Sequence, residues 1–180
     1  MEDLFNRYVT MGEVLDALEQ KDELLPEVIE SARRLTRFRG DDPFILWEKS
    51  WHVARQPGLA QGSYAASLRR VNLALSSSPQ SKHRSRYLLA KGTALYRMQR
   101  YEEAEAVLEN AERLLPKSYG EPLLPAAITV RAMAFNRLGR LAEARDALTD
   151  ARIRMGGDPE YSGDDAVVSL FMEAEALIGK

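Results

Sequence analysis

Apolar residues recur at helical spacing along almost the whole chain. Leu88, Leu95 and Met98 fall on one helix face, and Ala104, Val107, Leu108 and Ala111 fall on the next. Gln99-Arg100 separates the two runs, and Pro116 stops the second. Toward the N-terminus, Leu4, Phe5, Tyr8, Leu15 and Leu18 form one stripe. Leu25, Val28, Ile29, Ala32 and Leu35 form another, with Pro26 tolerable only in a first turn. The segment "RGDDPF" then breaks the chain, with Asp41 or Asp42 as N-cap and Pro43 in the first turn of the following helix. At the far end, Asp164 or Asp165 caps a last helix that carries Val167, Leu170, Phe171, Ala174, Leu177 and Ile178 on one face. No stretch reads as a strand.

The helical phrases repeat. A shift of 40 residues aligns 94–111 with 134–151 and gives seven identities in eighteen positions. Composition alone predicts about one. The identities include Ala94/Ala134, Arg97/Arg137, Arg100/Arg140, Glu103/Glu143, Ala104/Ala144, Leu108/Leu148 and Ala111/Ala151. A period of this size marks stacked supersecondary units, because one helical pair cannot bury its apolar face alone. The small residues Ala104 and Ala111 let the second helix of a unit approach its neighbours closely.

This pattern resembles the tetratricopeptide repeat, a helix-turn-helix unit of about 34 residues. Leu88, Gly92, Tyr101, Ala104, Leu108, Ala111 and Pro116 fall on that family's packing positions. Ile128, Ala132, Leu141, Ala144, Leu148 and Ala151 do so in a second copy, with Gly139 in the turn. An earlier copy appears with Pro79 as its terminator and Trp51, Gly62, Tyr64, Ser67, Val71 and Ala74 in register. It departs from the family at "QPGLAQG", where Pro57 and Gly58 end the first helix early. The resemblance implies an all-α, right-handed α-α superhelix of about nine helices. It divides a single domain of residues 1–180 into an N-terminal helical cap (1–40), three repeats (43–79, 82–116 and 121–156) and a C-terminal capping helix (164–179). The last part of the chain also resembles the repeat arrays that follow kinase or other regulatory domains in large bacterial signalling proteins.

Charge changes this picture more than composition does. Hydrophobic residues make up 45% of the chain and charged residues 29%, which is ordinary for a globular domain. Net charge is −2, but its distribution is uneven. Residues 1–48 carry six basic and twelve acidic groups, and residues 101–180 carry nine and fifteen. Between Lys49 and Arg100 there are ten Lys and Arg, both histidines and no acid at all. Such a tract favours acidic partners. There is no cysteine, which excludes thiolate chemistry and fits a reducing, cytoplasmic setting. No apolar run approaches the ~20 residues that cross a bilayer, so no membrane association is expected.

The search for chemistry returns nothing catalytic. The chain has no Gly-rich phosphate loop, no HExxH and no GxSxG. His52 and His83 are far apart, and the acid pairs Asp41-Asp42, Glu102-Glu103 and Asp164-Asp165 sit at helix starts, where they cap. No enzyme, cofactor or metal is expected. The tetratricopeptide resemblance instead implies a peptide groove on the first helices of the repeats. Carried over, its lining is Lys49, His52 and Gln56, then Arg86, Leu89, Thr93 and Tyr96, then Thr129, Met133 and Asn136. The two-carboxylate clamp of some family members is absent, since His52, Gln56, Ala126 and Val130 occupy its places. The expected function is a protein–protein interaction module, a scaffold or regulatory part of a bacterial signalling protein, that binds an acidic peptide or helix in this groove. The alternative is a nucleic-acid-binding solenoid with Arg69, Arg70, Lys82, Arg84 and Arg86 on phosphates. It is disfavoured by the acids at 102–109 and by the scarcity of aromatics for base stacking. Arg69 and Arg70 are expected to face away from the groove.

Overall fold

The computed structural model describes residues 9–21, 24–39, 41–114, 123–156 and 165–179. Every regular element among them is a helix. They are α1 (Met11–Glu19), α2 (Pro26–Arg39), α3 (Pro43–Ala54), α4 (Gln61–Ser77), α5 (Arg84–Arg97), α6 (Tyr101–Leu114), α7 (Leu123–Arg137), α8 (Leu141–Arg154) and α9 (Asp165–Ile178). Leu4, Phe5, Tyr8, Pro116 and Asp164, and the side chain of Leu35, lie outside the described residues.

Side chains near the boundaries account for several of these ends. Thr10 and Glu13 form a reciprocal capping box on α1, with Glu13 N–H donating to Thr10 Oγ1 at 3.0 Å. Of the two acids before Pro43, Asp42 is the cap of α3: its Oδ1 accepts from the backbone of Phe44 at 2.7 Å and of Ile45 at 3.2 Å. Pro26 and Pro43 each open a helix, where no N–H is needed.

The repeated phrases fold alike. In one, Gln99 takes a left-handed φ of 62° and Arg100 N–H donates to Leu95 C=O at 3.0 Å. In the other, Gly139 has φ 77° and Arg140 N–H donates to Phe135 C=O at 2.9 Å. Both are six-residue closures of a helix C-terminus, which turn the chain straight into the next helix. Each following helix then starts with the same ion pair, Arg100 with Glu103 and Arg140 with Glu143.

Short turns make α3–α4, α5–α6 and α7–α8 packed hairpins. Successive hairpins pack on each other. The first helix of each lies mainly on the second helix of the one before, and less on its first helix. Ala54, Val71, Ala74, Ala90, Ala94, Ala104, Leu108, Ala111, Ala132 and Ala151 are fully buried along these contacts. Gly92 marks the tightest point. A Cβ there would sit 2.5 Å from Leu108 Cγ, so only glycine lets α5 meet α6 at this distance. In the first hairpin, serines replace alanine. Ser50 Oγ donates to Ser67 C=O at 3.0 Å and Ser67 Oγ to Ser50 C=O at 2.9 Å, so both buried hydroxyls are satisfied. Helices α1 and α2 pack on each other and touch the rest of the described molecule only sparsely.

Overpacking and pair coupling test this arrangement. Ala111→Leu and Gly92→Ala are each expected to destabilise by about 1–3 kcal/mol in urea denaturation. Gly92→Ala should cost less in a Leu108→Ala background than in the wild type, because the clashing carbon is then gone.

Candidate functional site

The side chains expected to line a groove part into two groups. Lys49 and His52 are exposed on α3, and Gln56, Arg86 and Asn136 are half-buried. His52 is held locally: its Nε2 lies 3.1 Å from Gln56 Nε2 and its Nδ1 3.3 Å from the Arg55 guanidinium. Arg86 lies against the Trp47 ring, its guanidinium carbon 5.9 Å from the ring centroid. Leu89, Thr93, Tyr96, Thr129 and Met133 are buried, not open to a partner. The groove expected along α5 and α7 is therefore already filled. Ala126 and Val130 are buried with it.

The last helix covers part of α7. α9 turns Val167, Leu170, Phe171, Ala174 and Ile178 inward, all buried. It packs chiefly on α7, the helix that carries Thr129, Met133 and Asn136, and only lightly on α8. From α9, Glu173 reaches back to α5. Its two carboxylate oxygens accept from Arg97 Nη1 at 2.5 Å and Arg97 Nη2 at 2.7 Å. The Arg97 side chain is only 6% exposed, so this is a two-pronged ion pair in a largely desolvated place. The same guanidinium also donates from Nε to Ala54 C=O at 3.1 Å and from Nη2 to Arg55 C=O at 3.2 Å. Those carbonyls are at the C-terminal, electronegative end of α3. Arg97 thus joins α3, α5 and α9.

Tyr96 borders this centre. Its phenol is hydrogen-bonded to Arg137, and the Glu173 charge lies within electrostatic reach of both groups. Burial pushes the phenol above its ordinary range, which the Arg137 hydrogen bond partly opposes. Thr93 Oγ1 is satisfied by Leu89 C=O at 2.8 Å, one turn back. Thr129 Oγ1 is buried and finds no partner among the described residues.

Part of the basic tract is paired or buried within the molecule. Arg97 holds Glu173, Arg100 holds Glu103, and Arg84 donates to Pro79 C=O at 3.2 Å. Arg70, expected on an outer face, is buried instead, while Arg69 is exposed. Burial and the adjacent Arg69 charge lower the Arg70 pKa, and Glu13 of α1 offsets this from the facing side. On the other side of α7, Arg131 bridges to Glu105 at 3.3 Å and Glu112 at 2.9 Å on α6. Burial raises the Glu112 pKa, and the Arg131 charge opposes it.

No group of three His, Asp or Glu side chains converges on a point among the described residues. No described helix is long and apolar enough to cross a membrane. Sequence reasoning missed Glu173 and the convergence on Arg97. The identity of Arg97 with Arg137 across the repeat marked the position, but nothing in the last helix marked Glu173 as its partner. Comparison with known proteins finds no matching family model, no similar curated protein and no similar solved structure.

Arg97→Ala should destabilise by about 3 kcal/mol in chemical denaturation, as expected when one member of a buried pair is lost. The charge swap Arg97→Glu with Glu173→Arg should not restore that loss, because the Ala54 and Arg55 carbonyls need donors at that place. For Glu112, whose folded pKa is raised, stability is greatest below the ordinary carboxylate range and declines as pH rises through the folded value. The stability of the wild type relative to Glu112→Gln should therefore fall as the pH rises above the ordinary carboxylate range, measured by urea denaturation at a series of pH values.

Proposed function

We propose that this chain is a protein-interaction module, a right-handed superhelix of tetratricopeptide-like hairpins that binds an acidic, helical segment of a partner protein. The observation that carries this reading is the reception of α9. α7 accepts an amphipathic helix through apolar side chains, and Arg97 of α5 takes its carboxylate. Apolar burial supplies affinity and the charge pair fixes register, which is how grooves read helices. Two hairpins with matching turns, a third packed on them, and tight alanine and glycine contacts support the repeat architecture. A scaffold or regulatory role in bacterial signalling rests on the resemblance of the last part of the chain alone.

The nucleic-acid reading is weaker. A phosphate-tracking surface needs a continuous stripe of available cations. Here Arg97 and Arg100 are paired with acids and Arg70 is buried.

Fluorescence anisotropy with three labelled probes tests the choice: an acidic amphipathic peptide, a basic peptide of equal length and a random single-stranded DNA. The acidic peptide is expected to bind at about micromolar strength and to weaken with salt. Arg86→Glu should weaken it several-fold more than Arg69→Glu. Tight DNA binding with a steep salt slope, lost equally in both variants, would overturn the reading.

A further inference from the structure

The seating of α9 differs from that of every earlier helix that joins one hairpin to the next. Helices α5 and α7 lie mainly on the second helix of the preceding hairpin, α4 and α6 respectively. α9 reverses this order and lies mainly on the first helix, α7, and little on α8. A helix that simply extended the stack would have repeated the earlier arrangement. α9 lies on α7 instead, far enough over for Glu173 to reach Arg97 of α5 two hairpins back. Thr129 and Met133 of α7, and Tyr96 next to Arg97, are buried, and the repeat pattern assigns all three to ligand contact.

We propose that α9 is an internal occupant of the ligand site. It holds in cis the place that a partner's acidic amphipathic helix takes, so α9 docking and partner binding exclude each other. The proposal rests on the interaction-module reading above and adds to it both the pattern of the ligand and its control. The pattern is that of α9: apolar residues spaced as Val167, Leu170, Phe171 and Ala174, with a carboxylate one residue before the last of them, where Glu173 meets Arg97. α9 is suited to exchange because its outward side is not built into the fold. Met172 is 56% exposed, and the second ion pair of the helix, Glu175 with Arg152, joins side chains that are 32% and 50% exposed. Such rim pairs contribute little to holding a helix. Its grip therefore depends on the apolar stripe and on Glu173, both of which a competing helix can reproduce. A site filled in this way lowers apparent affinity by the fraction of molecules in which it is open.

The experiment uses the full chain and a labelled synthetic peptide with the sequence of residues 165–178. Wild type should bind it weakly. Glu173→Arg turns the internal contact into a repulsion while the peptide keeps its own glutamate, so this variant should bind the peptide at least about tenfold more tightly. Arg97→Glu should bind it no better than wild type does. A second measurement needs no substitution: in native-state hydrogen exchange, the amides of α9 should open as one unit ahead of those of α5 and α7. Exchange of α9 together with α5 and α7, or an unchanged peptide affinity in a Glu173→Arg protein that keeps its helical circular dichroism, would overturn the proposal. Should acidic peptides bind wild type and Glu173→Arg equally, the interaction reading stands and the internal occupant falls. Should no acidic peptide bind either protein, both fall.

Discussion

One guanidinium, that of Arg97, ties the two ends of the repeat region together. It donates to both oxygens of Glu173 and to the carbonyls of Ala54 and Arg55, using most of the five N–H donors an arginine has. The need for it arises in the sequence of the first hairpin. Pro57 and Gly58 cut α3 short at Ala54, which leaves carbonyls at its end without intrahelical partners. Tyr64 closes part of the gap, donating to Gln56 C=O at 2.7 Å and accepting from Leu59 N–H at 2.9 Å. Arg97 closes the rest from the next hairpin. Having been drawn in to satisfy one helix end, its charge lies largely out of water, and such a charge needs a counter-ion. Glu173 provides it, and α9 comes with it.

The comparison of Arg97 with Arg137 shows how little a shared sequence position decides. Both arginines end the first helix of a hairpin, and both precede the same left-handed turn. Arg97 is buried between α3 and α9, whereas Arg137 is exposed and bonds the Tyr96 phenol. The local backbone is the same, but the layers above and below are not. A repeat writes the same hairpin several times and leaves the use of each side chain to its neighbours.

Charge segregation along the chain takes on a second meaning in this light. An acidic beginning, a basic middle and an acidic end suggest an outward field when read as a line. In three dimensions much of it is internal complementarity. Arg70 of the middle faces Glu13 of the beginning, and Arg100 and Arg97 of the middle hold Glu103 and Glu173 of the end. Exposed cationic side chains of the middle include Lys49 on α3, Arg69 on α4 and Lys82 between α4 and α5. The molecule's own acidic helix illustrates the kind of surface its cations accept.

The sequence by itself determined the helices, most of their boundaries and the hairpin repeat. These follow from local causes: apolar spacing, Asp42 before Pro43, Pro57-Gly58 at a helix end, and the turns at Gln99 and Gly139. Gly92, Ala104 and Ala111 were legible as close-contact positions because small side chains at helical spacing have few other uses. The site was legible only as far as the helices that carry it. Of the expected lining, Lys49 and His52 are exposed, and Leu89, Thr93, Tyr96, Thr129 and Met133 are buried. Helical spacing does not show whether a side chain on a given face will be covered. Where α9 settles is likewise left open by its amphipathic pattern, since an apolar stripe fits an outer or an inner face equally well. Only the tertiary structure, through the meeting of Glu173 with a buried arginine from two hairpins away, decided it.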